Sequence, residues 1–250
     1  MLENYTVFGS WPELAAACVV MLAAEVVYVT FGFGAGLIAV GLLAFVLHQA
    51  RDVVVLLLLV SLPVELVIVF ASRKLIRWRG VLLVSAGIGI GIPLGTWFLK
   101  QGETGLILVL LGAFLLLVGL AFVVMPRKGA LKWPIWAAPP VGMVSGFLAG
   151  VFGTGGPPLV FYYRLSDLDK TAFRANLMAV FLVITIIRLP CYLAWDLITP
   201  PRLVSAAALL PAAVLGAVLG RRVHLGLSEL AFRRLVGAAL VALGLLLLIG

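Results

Sequence analysis

Phe152-Gly153-Thr154-Gly155-Gly156-Pro157-Pro158 interrupts one apolar run, and 121 residues earlier Phe31-Gly32-Phe33-Gly34-Ala35-Gly36 interrupts another. Glycine permits positive φ and close backbone approach, so clustered glycines inside a hydrophobic region read as a break in a helix. Pro157 and Pro158 fit the first turn of a new helix, where a missing N–H costs nothing. The same offset aligns the segments beyond each break: apolar segment 80–99 maps onto 201–220, and 105–125 onto 226–246. The match lies in hydropathy and break position, the form in which transporter repeats show themselves.

The surroundings of the breaks set the class. Of 250 residues, 64% are hydrophobic and 11% charged, with a mean hydropathy of +1.25. A soluble domain carries roughly a quarter charged residues, so this chain has too little polar surface for a water-soluble globule. Its long apolar runs suit a bilayer, where each helical span takes about 20 residues. The net charge of +8 is explained by basic loops on the cytoplasmic side of a membrane protein, and no basic-aromatic segment points to nucleic acid. Residues 1–13 have an acidic flank and no basic n-region, so a cleaved signal peptide is not expected. Six tryptophans, at 11, 78, 97, 133, 136 and 195, fall near the ends of predicted spans, as an aromatic belt would.

Charge also orients the halves. Basic residues cluster at Arg73/Lys74/Arg77/Arg79, Arg127/Lys128/Lys132, Arg164/Lys170/Arg174 and Arg221/Arg222/Arg233/Arg234. If each glycine-broken region crossed the membrane once, alternate loops would hold 9 and 8 basic residues. If each enters and returns on the same side, all four clusters share one face and the count becomes 14 against 3. The positive-inside rule selects the second arrangement. The expected fold is therefore an all-α integral membrane protein of two inverted-topology repeats. Each repeat is a glycine-broken re-entrant or hairpin segment followed by three transmembrane helices. The repeats span 1–126 and 134–250, joined by a cytoplasmic linker at 127–133, with both termini outside. The return arm 157–163 is too short to span and is expected as a half-helix or an extended strand of chain, with irregular backbone sheltered by protein or lining a wet cavity.

A broken helix offers unpaired N–H groups and the positive end of a helix dipole to an anion. Gly32, Gly34 and Gly36 in the first break, and Gly153, Thr154, Gly155 and Gly156 in the second, are the candidate substrate-binding backbone, meeting across a pseudo-twofold axis near the midplane. The alternative role for these glycines is close helix packing. Glu25, Glu65 and Arg188 lie inside apolar helices, where a charge costs at least a few kcal/mol. Arg188, in Ile186-Ile187-Arg188-Leu189-Pro190, has the planar fork that holds oxyanions. Glu25 and Glu65 are candidate proton carriers or charge partners, and a static buried ion pair joining the repeats is the plain alternative. Asn176, together with Ser145, is a further polar candidate near the second break, with interhelical hydrogen bonding as its other reading. His48 and His224 lie at segment ends and are far apart in sequence, and neither Cys18 nor Cys191 joins a ligand cluster, so no metal and no cofactor is expected. Neither break continues into Gly-Lys-Ser/Thr, which leaves no nucleotide-binding loop.

The stretch Ser145-Gly146-Phe147-Leu148-Ala149-Gly150-Val151-Phe152-Gly153-Thr154-Gly155-Gly156-Pro157-Pro158, in the second of two glycine-broken halves, resembles the sulfite exporter TauE/SafE family of membrane permeases. The likeness extends over essentially the whole chain. It implies movement of small sulfur-containing anions, such as sulfite, sulfoacetate and other organosulfonates, across the bacterial inner (plasma) membrane. The expected partners are a small anionic substrate and the lipid bilayer. A secondary exporter working by alternating access and a passive anion channel both fit these residues, as does, in a different class, a non-transporting membrane assembly subunit. An enzyme would need a nucleophile with its base, or a metal cluster, at membrane depth, and two separated histidines supply neither.

Overall fold

The computed structural model describes residues 5–31, 34–124, 134–164, 168–222 and 229–249. Within them the regular structure is helical throughout: α1 (Trp11–Phe31), α2 (Ala35–Leu47), α3 (Ala50–Ser72), α4 (Trp78–Gln101), α5 (Thr104–Val124), α6 (Ala138–Phe152), α7 (Gly156–Arg164), α8 (Lys170–Ala194), α9 (Pro200–Arg222) and α10 (Glu229–Ile249). Short 3-10 turns precede α4 (Arg73–Leu75) and α6 (Ile135–Ala137). Seven of the described helical stretches are long and apolar enough to cross a membrane. By contrast α2, with 13 residues, and α7, with 9, reach about 20 and 14 Å at 1.5 Å per residue. Neither covers the hydrocarbon thickness of about 30 Å alone.

The repeat offset places Ala35, the first residue of α2, against Gly156, the first residue of α7, and the remaining helices correspond in order. The return arm of the second break is thus a half-helix. Gly36 departs from expectation, because it lies in the first turn of α2 and not in the break. Gly32, Phe33, His224 and the linker 127–133 lie outside the described residues. Arg233 also departs from its reading as a loop charge: it sits in α10 and is 4% exposed.

The chain divides into two compact units, and each draws helices from both halves. The first comprises Met1–Leu57, Gly102–Pro126 and Thr199–Gly250. Here α1 packs along α9, with a Cβ built at Gly216 falling 2.3 Å from Leu22 O and one at Gly220 falling 2.8 Å from Val26 O. Both sets of numbers rise together, so these two helices run parallel. In the same unit Gly112 meets Gly244 and Gly119 meets Gly237, an order that makes α5 and α10 antiparallel. The α2 helix lies against that pair, Gly41 facing Leu115 and Leu243. Arg202 Nε and Nη2 both reach Asp52 Oδ1 at 2.7 Å, tying the start of α9 to the start of α3.

The second unit comprises Leu58–Gln101 and Arg127–Ile198. Its centre is a parallel crossing of α4 on α6. Gly87, Gly91 and Gly95 on one helix back onto the main chain from Pro139 to Gly150 on the other, while Gly142, Gly146 and Gly150 back onto the main chain from Val84 to Thr96. Every Cβ built at these six positions falls under 3.0 Å from main-chain atoms. Lipid tails supply no hydrophobic drive between helices, so close backbone packing through small residues is what holds them together. The α8 helix also packs on α4, bringing its buried polar residues to the end of α6.

Candidate functional site

The second break is built from the end of α6 upward. Gly153 caps that helix in the left-handed region, with φ 74° and its N–H donating to Ala149 O at 3.0 Å. A residue with a side chain rarely adopts that conformation, which accounts for glycine at this point. The chain then passes through Thr154 and Gly155 and restarts as α7 at Gly156. Ser145 fastens the bend by donating its hydroxyl to Gly155 O. A Cβ on Gly155 would fall 2.3 Å from Ser145 O, so the bend also needs glycine here for space.

Arg188 reaches this bend from α8. Its Nη1 donates to Gly153 O at 3.1 Å, and its Nε and Nη2 donate to Tyr192 OH at 3.3 and 3.0 Å. Tyr192 OH in turn donates to Gly150 O at 2.9 Å. The guanidinium carbon stands 4.9 Å from the tyrosine ring centroid. Arg188 is 3% exposed and Tyr192 fully buried. These residues place a guanidinium on carbonyls at the C-terminal end of α6, the negative end of its dipole.

On the other side of the bend lies the N-terminal end of α7. Thr154, Gly155 and Gly156 are buried there. Among the described residues, no hydrogen bond starts from the backbone N–H of any of the three. Pro157 and Pro158 have no N–H to offer. The bend therefore joins a fixed cation to buried N–H donors within a few residues of chain.

The other sequence candidates lie in both units. Glu65 is 6% exposed on α3, within the unit that holds Arg188. Glu25 is 3% exposed on α1 in the other unit, where its Cβ lies 3.0 Å from a Cβ built at Gly216 of α9. Gly34, also in that unit, is left-handed with φ 85° and precedes α2 directly. Asn176 is engaged elsewhere: Oδ1 accepts from Arg77 N–H at 2.8 Å, and Nδ2 donates to Leu75 O at 3.4 Å and Ala172 O at 2.7 Å. Its carbonyl oxygen and one amide hydrogen serve the connection into α4, and the other hydrogen turns back onto α8. Tyr192 was not among the sequence candidates, although its spacing of four from Arg188 on one helix puts the two side chains on the same face.

The model of the family described as "Sulfite exporter TauE/SafE" matches residues 16–247. The chain is 28% identical over 218 residues to a "Probable sulfite/organosulfonate exporter TauE" of Cupriavidus necator, covering 85% of each chain. It is 25% identical over 191 residues to a "Probable inner membrane transporter protein TsaS" of Comamonas testosteroni, covering 76% of this chain and 80% of that one. No solved structure matches it.

Proposed function

Because the chain belongs to the sulfite exporter TauE/SafE family, we propose that it is a multi-pass inner-membrane transporter that exports sulfite or an organosulfonate by alternating access. The family consists of transporters and not enzymes. The observation that carries the substrate class is the second break, where Arg188 stands on Gly153 O beside the buried N–H groups of Thr154, Gly155 and Gly156. A desolvated guanidinium with nearby backbone donors suits a small oxyanion, whose several oxygens accept from both. The name of one relative, "Probable sulfite/organosulfonate exporter TauE", agrees with this class, and that of the other, "Probable inner membrane transporter protein TsaS", agrees with transport across the inner membrane.

Two further parts of the reading have their own support. The antiparallel pairing of α5 with α10, which are repeat counterparts, favours inverted repeats. Counterpart helices that both span would run parallel if each half crossed an even number of times. An odd number puts both termini on one face and the linker on the other, and the basic clusters of the linker and the loops that share its face favour the inside for the linker. Proton coupling draws on Glu25 and Glu65, since a carboxyl held at membrane depth is suited to carry a proton.

The test is sulfite flux in proteoliposomes containing the purified protein alone. Export should saturate with sulfite and change rate when an opposing proton gradient is imposed. Flux that does neither overturns the exporter reading in favour of a passive channel.

A further inference from the structure

The end of α6 carries a charge arrangement that the transport reading uses only on the side that faces the anion. The last carbonyls of any helix lack partners within it and bear partial negative charge. In transporters built on broken helices, such carbonyls coordinate the coupling sodium ion or proton. In this chain the Gly153 carbonyl accepts from the Arg188 guanidinium, and the Gly150 carbonyl accepts from the Tyr192 hydroxyl that the same guanidinium grips.

We infer that Arg188, held in place by Tyr192, is a resident cation at the position where a coupling metal ion would sit, so that transport runs without sodium. The guanidinium supplies one positive charge at the helix end, as an alkali cation would. Tyr192 is the positioning residue: its oxygen accepts two guanidinium N–H groups and passes one hydrogen on to Gly150 O. The arrangement belongs to one break only, since the repeat offset puts Val67 and Ala71 where the second half has Arg188 and Tyr192. The inference rests on the transport reading for its flux measurements and stands apart from it for its stability measurements.

Sulfite flux in proteoliposomes should be the same when all sodium is replaced by N-methylglucamine. Tyr192→Phe keeps the ring and deletes the hydroxyl, and should raise KM for sulfite about tenfold with a smaller change in turnover. In detergent, without sulfite, Arg188→Ala should melt at a lower temperature than wild type and recover with millimolar guanidinium but not with equal tetramethylammonium. Arg188→Lys, which keeps the charge, should lie between the two and provides the readout if Arg188→Ala does not fold. A wild type that needs sodium, or a Tyr192→Phe protein with unchanged KM, overturns the inference. So does an Arg188→Ala protein indifferent to guanidinium, or an Arg188→Lys protein no more stable than Arg188→Ala. A wild type that moves no sulfite refutes the substrate reading instead, and the melting experiments then decide the resident cation.

Discussion

Gly119 and Gly237 stand back to back where α5 crosses α10: a Cβ on the first would lie 2.7 Å from the carbonyl oxygen of the second, and the reverse distance is 2.9 Å. Both contacts are with main chain, which cannot swing aside as a side chain could. Gly119→Leu should therefore push the two helices apart, at a cost of about 1–3 kcal/mol, the usual range for overpacking. Thermal melting in detergent measures it. Gly105→Ala, at the start of α5 with no neighbouring atom within 4 Å of its Cβ position, should leave the melting temperature unchanged.

The antiparallel sense of that same crossing yields a prediction about sidedness. In a background with Cys18 and Cys191 replaced by serine, Arg79→Cys and Arg222→Cys should react with an impermeant maleimide from the cytoplasmic face. Gln101→Cys should react from the opposite face. All three parent residues are exposed. Labelling of positions 79 and 222 from opposite faces would sink the inverted arrangement.

The two neighbouring glycines of the second break should respond differently to alanine. Gly155→Ala drives a Cβ into Ser145 O, at 2.3 Å, and should abolish flux and lower stability. Gly156→Ala meets nothing nearer than Phe181 Cζ at 3.4 Å and keeps its N–H, so flux should remain close to wild type. Initial-rate measurements on both reconstituted variants check this pair.

Asn176 distinguishes a structural clamp from a substrate ligand. Asn176→Ala removes the bonds to Arg77 N, Leu75 O and Ala172 O. Losing part-buried hydrogen bonds of this kind costs about 0.5–1.5 kcal/mol each. The melting temperature should fall while KM for sulfite stays within about twofold, less than losing a hydrogen bond to the anion would change it.

The Asp52–Arg202 pair, with side chains 14% exposed and 2.7 Å apart, should show measurable coupling. In a double-mutant cycle with Asp52→Asn and Arg202→Gln, the coupling energy should be about 1 kcal/mol, the upper end for ion pairs near a surface. Reversible denaturant unfolding of the four proteins gives the number, which should shrink as salt is added.

The helical layout was legible because a bilayer constrains it so strongly. Spans need length and apolarity, and departures such as Gly153 to Pro158 stand out against that background. Arg188 was legible for the same reason, as a charge within an apolar helix. Its anchoring was not, because Tyr192 is an ordinary residue for a membrane helix until the fold brings Gly150 O beside it. Asn176 read as a polar group near the break, but its partners at Leu75 and Arg77 lie a hundred positions away in the chain. Arg233 read as a loop charge because a sequence shows neighbours in order only, and burial depends on which helices close over it.

The exchange of helices between halves bears on the order in which the protein is made. α1 leaves the ribosome well before the helix it lies along, α9, is synthesised. Until Gly216 arrives beside Leu22, the flank of α1 that carries Glu25 has no α9 to cover it. The first unit thus closes only after α9 and α10 have been made, a non-local event of the kind that slows folding. Neither half made alone would contain the helix its opening helix packs against most extensively. Two halves expressed as separate chains would have to find each other in the membrane before either was complete.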